Sequence, residues 1–399
     1  MNSDSLGWLK SVLIEARGDV YMPTNQVEHA DEQIYHIADP WVICNKSVTS
    51  KKSAFQNACR LHYAKALNSI YLNFEENQLD PIACSHKIYS FLKIIYPDLS
   101  PSIGNWFTQR TNSYSVTEKF ISKRIAKLLM PPNQSVWYGF YNNAQLFLDF
   151  YLFRLFCFAE RNVVVSNYLR DQKDLLNFSM LCIIAGASHA NTEIANEEVV
   201  LFNLFLKRNF INEEHRKAAN EFIENGASPD QIELPANNSW ALRKFFLELA
   251  IATVWSDGIL DEQEEKFVKN FSQSLQLSDT DVISSHIRIE SFLISLMPDG
   301  SQDNNQIEHS FLKRINKLLT AYNNEIIHLL KSNSTVCQRL KSSSIGHLSE
   351  QQKDQLAQDI IKLIQHMNIF RGISFNNLNW SYLRVLKIMP KGVIKEVIS

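Results

Sequence analysis

Glycine and proline are scarce in this chain of 399 residues, which has only 11 of each. Parallel-sheet and strand-rich folds spend more of these residues at turns, so the shortage favours helices. The six cysteines form no C-x-x-C pair, and several lie inside apolar helical runs. We therefore predict buried, reduced thiols, which indicate a cytoplasmic protein rather than a disulfide-stapled secreted domain.

Short catalytic and membrane-spanning signals are missing as well. The sequence contains no G-x-x-x-x-G-K-[ST], G-x-G-x-x-G, G-x-S-x-G or H-E-x-x-H motif, and no DNA-binding motif was found. No stretch reaches the roughly 18 clean apolar residues of a transmembrane helix. The nearest, residues 136–158, is interrupted by Asn142, Asn143, Asp149 and Arg154, so we predict a buried core helix there. A non-enzymatic protein without a transmembrane helix or a secretion signal is expected.

Helical periodicity is what the sequence has in abundance. Apolar residues recur at helical spacing in five stretches: 52–74, 82–95, 117–130, 136–160 and 307–330. Ser349, followed three residues later by Gln352, forms a capping box that opens a helix running to about Phe370. The sequence therefore predicts an all-α, multi-helix assembly.

Charge is unevenly distributed, although the net charge is only −2. Residues 181–300 contain 19 acidic and 9 basic side chains, whereas residues 301–399 contain 13 basic and 7 acidic ones. We predict three regions from this pattern. They are an N-terminal helical region without an assigned role (1–165), an acidic helical domain (166–300) and a basic helical C-terminal region (301–399).

Two segments of the acidic middle, residues 185–206 and 250–271, share one pattern, and a shift of 66 residues places Asn191 on Asp257 and Glu198 on Glu264. Each has a helix end rich in small residues, then a tight polar turn, then an acidic helix start. Asp257–Gly258 forms the turn of the second segment, because glycine tolerates a positive φ. Four acidic residues then fall in the first turn of the next helix, where the helix dipole favours negative charge: Asp261, Glu262, Glu264 and Glu265.

This duplicated helix-pair pattern resembles the TerB-like domain of tellurite-resistance proteins over about residues 170–295. The resemblance implies a divalent-metal site at the two acidic turns. The implied metal-site residues are Asp257, Asp261 and Glu264 in the second unit and Asn191, Glu193 and Glu198 in the first. The first unit departs from the pattern, since Asn191 replaces an aspartate and Thr192 a glycine, which weakens a site for a hard cation. The alternative is that these side chains only cap helices and keep the surface soluble.

A wider resemblance rests on residues 135–153, on residues 237–258 and on the C-terminal end. Together they are similar to Letm-related, biofilm-associated bacterial proteins, which pair a TerB-like middle with a piece like the ribosome-binding domain of mitochondrial Letm proteins. Leu348–Glu350 and Lys387–Pro390 fit the Letm-like pattern, whereas its Ile-Pro and Leu-Pro-Gly-Gly elements are absent. The transmembrane helix of the mitochondrial proteins is also missing, so ion transport does not carry over.

These observations lead to two functional hypotheses. The first is a non-enzymatic cytoplasmic interaction protein whose basic tail binds the ribosome or an anionic membrane surface, peripheral to the inner membrane. Phosphate contacts by Lys and Arg would make either association salt-dependent. The candidate partner-binding residues are Lys353, Lys362, Arg371, Arg384, Lys387, Lys391 and Lys395. The alternative is a divalent-metal-binding or metal-sensing TerB-like protein. A divalent cation is the only cofactor that the sequence suggests.

Overall fold

The computed structural model describes residues 8–19, 52–72, 80–101, 113–129, 136–159, 165–191, 194–209, 211–226, 232, 239–294, 302–344, 346–370, 373, 375 and 378–399. Seventeen α-helices and no strand occur in these ranges. The all-α, multi-helix prediction is therefore confirmed. Within the same ranges, no helix has the length and apolar character needed to cross a membrane.

The first eight helices are α1 (Trp8–Asp19), α2 (Lys52–Leu72), α3 (Pro81–Ile95), α4 (Ser113–Leu128), α5 (Val136–Ala159), α6 (Val165–Ser188), α7 (Asn196–Arg208) and α8 (Glu213–Asn225). The next five are α9 (Trp240–Val254), α10 (Glu262–Ser274), α11 (Asp279–Ile294), α12 (Gln302–Ala321) and α13 (Asn323–Ser332). The last four are α14 (Ser334–Ser344), α15 (Glu350–Gln365), α16 (Tyr382–Ile388) and α17 (Val393–Ile398).

The chain divides into two compact units. The N-terminal unit comprises the described parts of residues 1–185, 200–227 and 231–242, and the C-terminal unit those of 186–199 and 243–399. The predicted acidic region from residue 243 onward and the basic region 301–399 thus belong to one unit. The division into three regions stays a prediction.

Helix α5 forms the core of the N-terminal unit. Its side chains from Trp137 to Phe153 are buried with the exception of Tyr138, so this predominantly apolar helix is enclosed on all sides together with its polar residues Asn142, Asn143, Gln145 and Asp149. Asp149 is fully buried within it and accepts hydrogen bonds from Arg124 Nε at 2.9 Å, from Tyr63 Oη at 2.9 Å and from Tyr96 Oη. The charge of Arg124 offsets the cost of burying this carboxylate.

The C-terminal unit is organised by α11 and α12, which pack along each other. Glu290 of α11 is fully buried and accepts hydrogen bonds from Ser310 at 2.7 Å and from Arg314 Nε at 3.0 Å. Arg314 also pairs with Glu265 of α10 at 3.2 Å. One guanidinium therefore connects three helices of this unit.

Three predicted helix boundaries require correction. The helix expected from Thr117 begins at Ser113, and the apolar stripe 307–330 is divided at Tyr322 between α12 and α13. The helix after Ser349 ends at Gln365 rather than near Phe370, which lies in a short 3₁₀ turn. The capping box itself is present, since Ser349 Oγ accepts from the Gln352 N–H and the Gln352 side chain accepts from the Ser349 N–H.

Candidate functional site

Five of the six residues proposed from the acidic repeat lie together in the C-terminal unit, and we call them the acidic corner: Asn191, Glu198, Asp257, Asp261 and Glu264. The sixth, Glu193, lies outside the described residues. The corner is formed where the start of α7 meets the turn before α10. In that turn Gly258 has a φ of 86°, as the Asp257–Gly258 pattern predicted.

Glu198 and Glu264 occupy equivalent positions at the starts of α7 and α10. The Ala195 N–H donates to Glu198 Oε2 at 2.8 Å, and the Asp261 N–H donates to Glu264 Oε2 at 2.8 Å. Each glutamate thus satisfies a backbone donor at a helix start. These two hydrogen bonds provide, at both helices, the capping role predicted as the alternative. Both side chains are only 3% exposed.

Asn191 lies between the two carboxyl groups of the α10 start. Its Nδ2 donates to Asp261 Oδ2 at 3.1 Å and to Glu264 Oε1 at 3.0 Å. Asp261 Oδ1 and Glu264 Oε2 accept backbone N–H groups of the same turn. Every oxygen of these two carboxyl groups therefore has a protein donor.

The electrostatics of the corner follow from burial and from crowding of like charges. The pKa of Glu198 is raised to about 8, chiefly by desolvation and in smaller part by the nearby charges of Glu264 and Asp257, against the lowering effect of the hydrogen bond from the Ala195 N–H. Desolvation likewise raises the pKa of Glu264 to about 7. The pKa of Asp261 is instead lowered, chiefly by the hydrogen bond from the Glu264 backbone. Burial therefore favours the protonated form of Glu198 near neutral pH and brings the titration of Glu264 into that range, where carboxyl groups are ordinarily ionised.

A divalent cation fits this corner poorly. The Asn191 amide nitrogen already lies between Asp261 and Glu264, where a shared cation would bind, and it supplies donors rather than an oxygen ligand. Across the described ranges, no group of three or more His, Cys, Asp or Glu side chains is arranged to hold a metal ion. The predicted residues are brought together, but as a hydrogen-bonded cap.

The predicted partner-binding residues divide into two sets. Lys353 pairs with Glu350 at 2.7 Å, and Arg384 pairs with Glu308 at 2.8 Å, so these cations are engaged within the protein. Arg371 lies outside the described residues. The remaining four are exposed and make no ion pair within the described part of the chain: Lys362, Lys387, Lys391 and Lys395.

Two exposed leucines lie on the helix that carries Lys387, a feature that the sequence did not lead us to predict. Leu383 is 71% exposed and Leu386 is 38% exposed, whereas Val385 and Ile388 of the same helix are buried. Leu383, Leu386 and Lys387 have the i, i+3, i+4 spacing that places them on one face of α16. We call Leu383, Leu386, Lys387 and Lys391 the C-terminal patch. The sequence did contain a signal for these exposed leucines, because α16 has more apolar residues than the buried face of so short a helix can hold.

Helix α12 holds α16 in place at both ends. Arg384, near the start of α16, pairs with Glu308, and Asn316 Nδ2 donates to the carbonyl oxygens of Ile388 and Met389 at 3.1 and 3.2 Å. These bonds satisfy acceptors at the end of a seven-residue helix that is too short to be stable alone. The patch is therefore presented on a fixed element of the C-terminal unit.

The acidic corner is an internally satisfied cap, and the C-terminal patch combines exposed apolar and cationic groups. Of the two, only the patch offers groups without partners in the described part of the chain. No family model, curated protein or solved structure matches the chain.

Proposed function

We propose that this chain is a non-enzymatic interaction protein that attaches to an anionic membrane surface through its C-terminal patch. The observation that carries this proposal is the exposure of Leu383 and Leu386 on the same face of α16 as Lys387, with Lys391 close to Leu386 and Lys387; the ammonium groups of the two lysines pair with no carboxylate of the described residues. Exposed leucines beside exposed lysines form the combination by which a protein surface enters the boundary between lipid headgroups and acyl chains.

The expected strength of this attachment follows from ordinary magnitudes. Burying a leucine side chain contributes about 1.5–3 kcal/mol, and Leu383 and Leu386 are only partly available. Each lysine near an anionic surface adds about 1 kcal/mol. Two leucines and two lysines therefore support reversible, salt-sensitive attachment rather than permanent anchoring.

The ribosome, the other partner named by the sequence analysis, has less support from the patch. Lysines would serve rRNA phosphates equally well, but leucines contribute nothing to a phosphate contact. Recognition of single-stranded RNA uses exposed aromatic rings, and in the described part of residues 302–399 every Phe, Tyr and Trp is buried or only partly exposed, so the exposed rings there are imidazoles alone: His309, His328, His347 and His366. The Letm-like and TerB-like resemblances remain predictions, and ribosome binding is an outcome of the test below.

The metal-sensing alternative is not favoured. It needs an oxygen-rich, cation-sized space, whereas Asn191 donates to both Asp261 and Glu264 from that position. We infer that the acidic corner stabilises the starts of α7 and α10 and is not the functional surface.

Sedimentation of the purified full chain tests the proposal. The chain is mixed with neutral vesicles, with vesicles that contain an anionic lipid, and with ribosomes, each at low and high salt. We expect it to sediment with anionic vesicles at low salt, less at high salt, and not with neutral vesicles. Sedimentation with ribosomes alone would replace the membrane by rRNA as partner, and no sedimentation with any of them would refute both.

A further inference from the structure

Large aliphatic side chains are exposed in two places among the residues whose exposure the structure describes. There are five of them: Val199, Val200, Ile259, Leu383 and Leu386. The two leucines belong to the C-terminal patch, where the exposed charges are positive. The other three lie at the start of α7 and in the turn before α10, where the exposed charges are negative. One chain therefore has two exposed apolar surfaces of opposite charge.

The second surface, which we call the acidic face, comprises Glu197, Val199, Ile259 and Glu262. The Ile259 N–H donates to Asp257 Oδ1 at 2.9 Å, which fixes the turn that presents the Ile259 side chain. The pKa of Asp257 is raised chiefly by burial and in smaller part by nearby acidic charges, first among them that of Glu197. Glu197 therefore lies close to this turn. Glu197 and Glu262 are exposed and pair with no cation of the described residues.

We propose that the acidic face of one copy of this chain binds the C-terminal patch of a second copy. The negative charge of the face would repel a membrane of anionic lipids or a nucleic acid. What it fits is a cationic surface with exposed aliphatic groups. The patch is such a surface, with Leu383 and Leu386 beside Lys387 and Lys391, and every copy of the chain supplies it.

A single copy leaves both surfaces uncovered, although both belong to the C-terminal unit. Contact between two different surfaces is head-to-tail, so a pair of copies still has one free surface of each kind. Such contacts continue into longer assemblies unless they close into a ring. Because only a few residues take part on each side, we expect weak, reversible association that is reduced by salt.

This inference goes beyond membrane attachment and does not require it. The two are linked through the patch, which cannot be buried in a second copy and in a membrane at the same time. Self-association therefore withdraws patches from a membrane surface, and dilution releases them.

Sedimentation velocity of the full chain at low salt, over a range of concentrations, measures the association. Two charge-reversal variants test its surfaces: Lys387→Glu with Lys391→Glu, and Glu197→Lys with Glu262→Lys. In each variant both surfaces carry the same sign, so we expect association to weaken about tenfold or more. An equal mixture of the two variants should regain association, because each then offers the other a surface of opposite charge.

Glu213→Lys with Glu214→Lys is the matched control, since it reverses two exposed charges in the first turn of α8 and should leave association unchanged. Ile259→Ser changes no charge and should weaken association through the apolar contact alone. Carbodiimide coupling of mixed isotopically light and heavy chains, followed by mass spectrometry, should join a patch lysine of one copy to a glutamate of the acidic face of another.

The outcomes are separable from those of the vesicle experiment. A wild-type chain that stays monomeric at low salt would overturn the inference and leave membrane attachment standing. So would a mixture of the two reversal variants that associates no more than either variant alone. Association that persists in both reversal variants and in Ile259→Ser would place the contact elsewhere and overturn this assignment. Circular dichroism and the melting temperature of each variant establish that the fold is retained.

Discussion

The amide nitrogen of Asn191 lies 3.0 Å from Glu264 Oε1, although 73 positions separate the two residues in the sequence. This bond joins the turn before α7 to the first turn of α10. The side-chain amide of Asn191 carries no charge, and it joins these two elements without a bound cation. If all four carboxyl groups of the acidic corner were ionised, a cation would be needed to balance them. The acidic corner is thereby stabilised by hydrogen bonds and retained protons.

Replacing this amide should convert the cap into a cation site. In Asn191→Asp a third carboxylate faces Asp261 and Glu264, so we expect a loss of about 1–3 kcal/mol in the free energy of unfolding without divalent ions. Excess Ca²⁺ or Mg²⁺ should restore it, because a ligand that binds only the folded state raises its stability. Thermal melts with and without the ions measure both effects.

Wild type and Asn191→Ala are the controls for this conversion. Neither should respond to the ions, although Asn191→Ala should also lose stability because it lacks the bridging donors. A wild-type melting temperature that rises with Ca²⁺ or Mg²⁺ as much as that of Asn191→Asp would restore the metal-binding alternative.

The buried glutamates predict how stability depends on pH. The pKa of Glu198 is raised in the folded state from 4.5 to about 8, so the folded chain binds more protons than the unfolded chain between these values. Its free energy of unfolding must then fall as pH rises through this range. We expect Glu198→Gln to reduce the fall by an amount on the order of a kcal/mol, since glutamine keeps the acceptor for the Ala195 N–H.

Urea denaturation at pH 5.5 and pH 8.5 measures this difference. Glu262→Gln, at an exposed position in the first turn of α10, is the matched control and should leave the pH dependence unchanged. A stability difference between the two pH values that is as large in Glu198→Gln as in wild type would contradict the assignment.

The buried pair of Asp149 and Arg124 should be the most sensitive polar contact of the N-terminal unit. Asp149→Ala leaves a buried guanidinium without its bidentate partner, and the expected cost is about 3–5 kcal/mol. The comparison is Asp98→Ala, which removes an exposed pair with Lys127 and should cost less than about 1 kcal/mol. Equal denaturant midpoints for the two variants would show that burial does not decide the cost.

Asn316 predicts how firmly α16 is held. Asn316→Ala removes the donor to the carbonyl groups of Ile388 and Met389, with an expected loss of about 1 kcal/mol in the local stability of α16. Hydrogen exchange should therefore quicken in residues 382–389 and stay unchanged in α5. Thr320→Ala, one turn further along α12, removes only a bond to its own helix and serves as the control. Unchanged exchange in α16 would mean that other contacts hold it.

Local features of the fold could be predicted from the sequence because their interactions are local. The Ser349 capping box, the Asp257–Gly258 turn and the buried α5 helix depend on residues a few positions apart. The break at Tyr322 was missed because the apolar spacing continues through it. The spacing of apolar residues shows which face of a helix is buried. It does not show where one helix ends when the next helix continues the same spacing.

The candidate sites depend on distant pairings and were therefore predicted only in part. The repeat correctly placed Asp261 and Glu264 at a helix start, but it could not show that the Asn191 amide lies between their carboxyl groups. The basic composition of residues 301–399 pointed to Lys387 and Lys391 but did not distinguish them from Arg384. Arg384 pairs with Glu308, which lies 76 positions earlier in the sequence. Leu383 was overlooked because a leucine in an apolar helix is ordinarily part of the core.

Membrane attachment through the C-terminal patch is tested most directly by the double variant Leu383→Ser, Leu386→Ser, which keeps every charge. The measurement is its affinity for vesicles that contain phosphatidylglycerol, beside that of wild type and of Val200→Ser, an exposed apolar residue of α7. We predict a loss of about tenfold or more for the double variant and none for Val200→Ser. Unchanged affinity of the double variant would contradict the account.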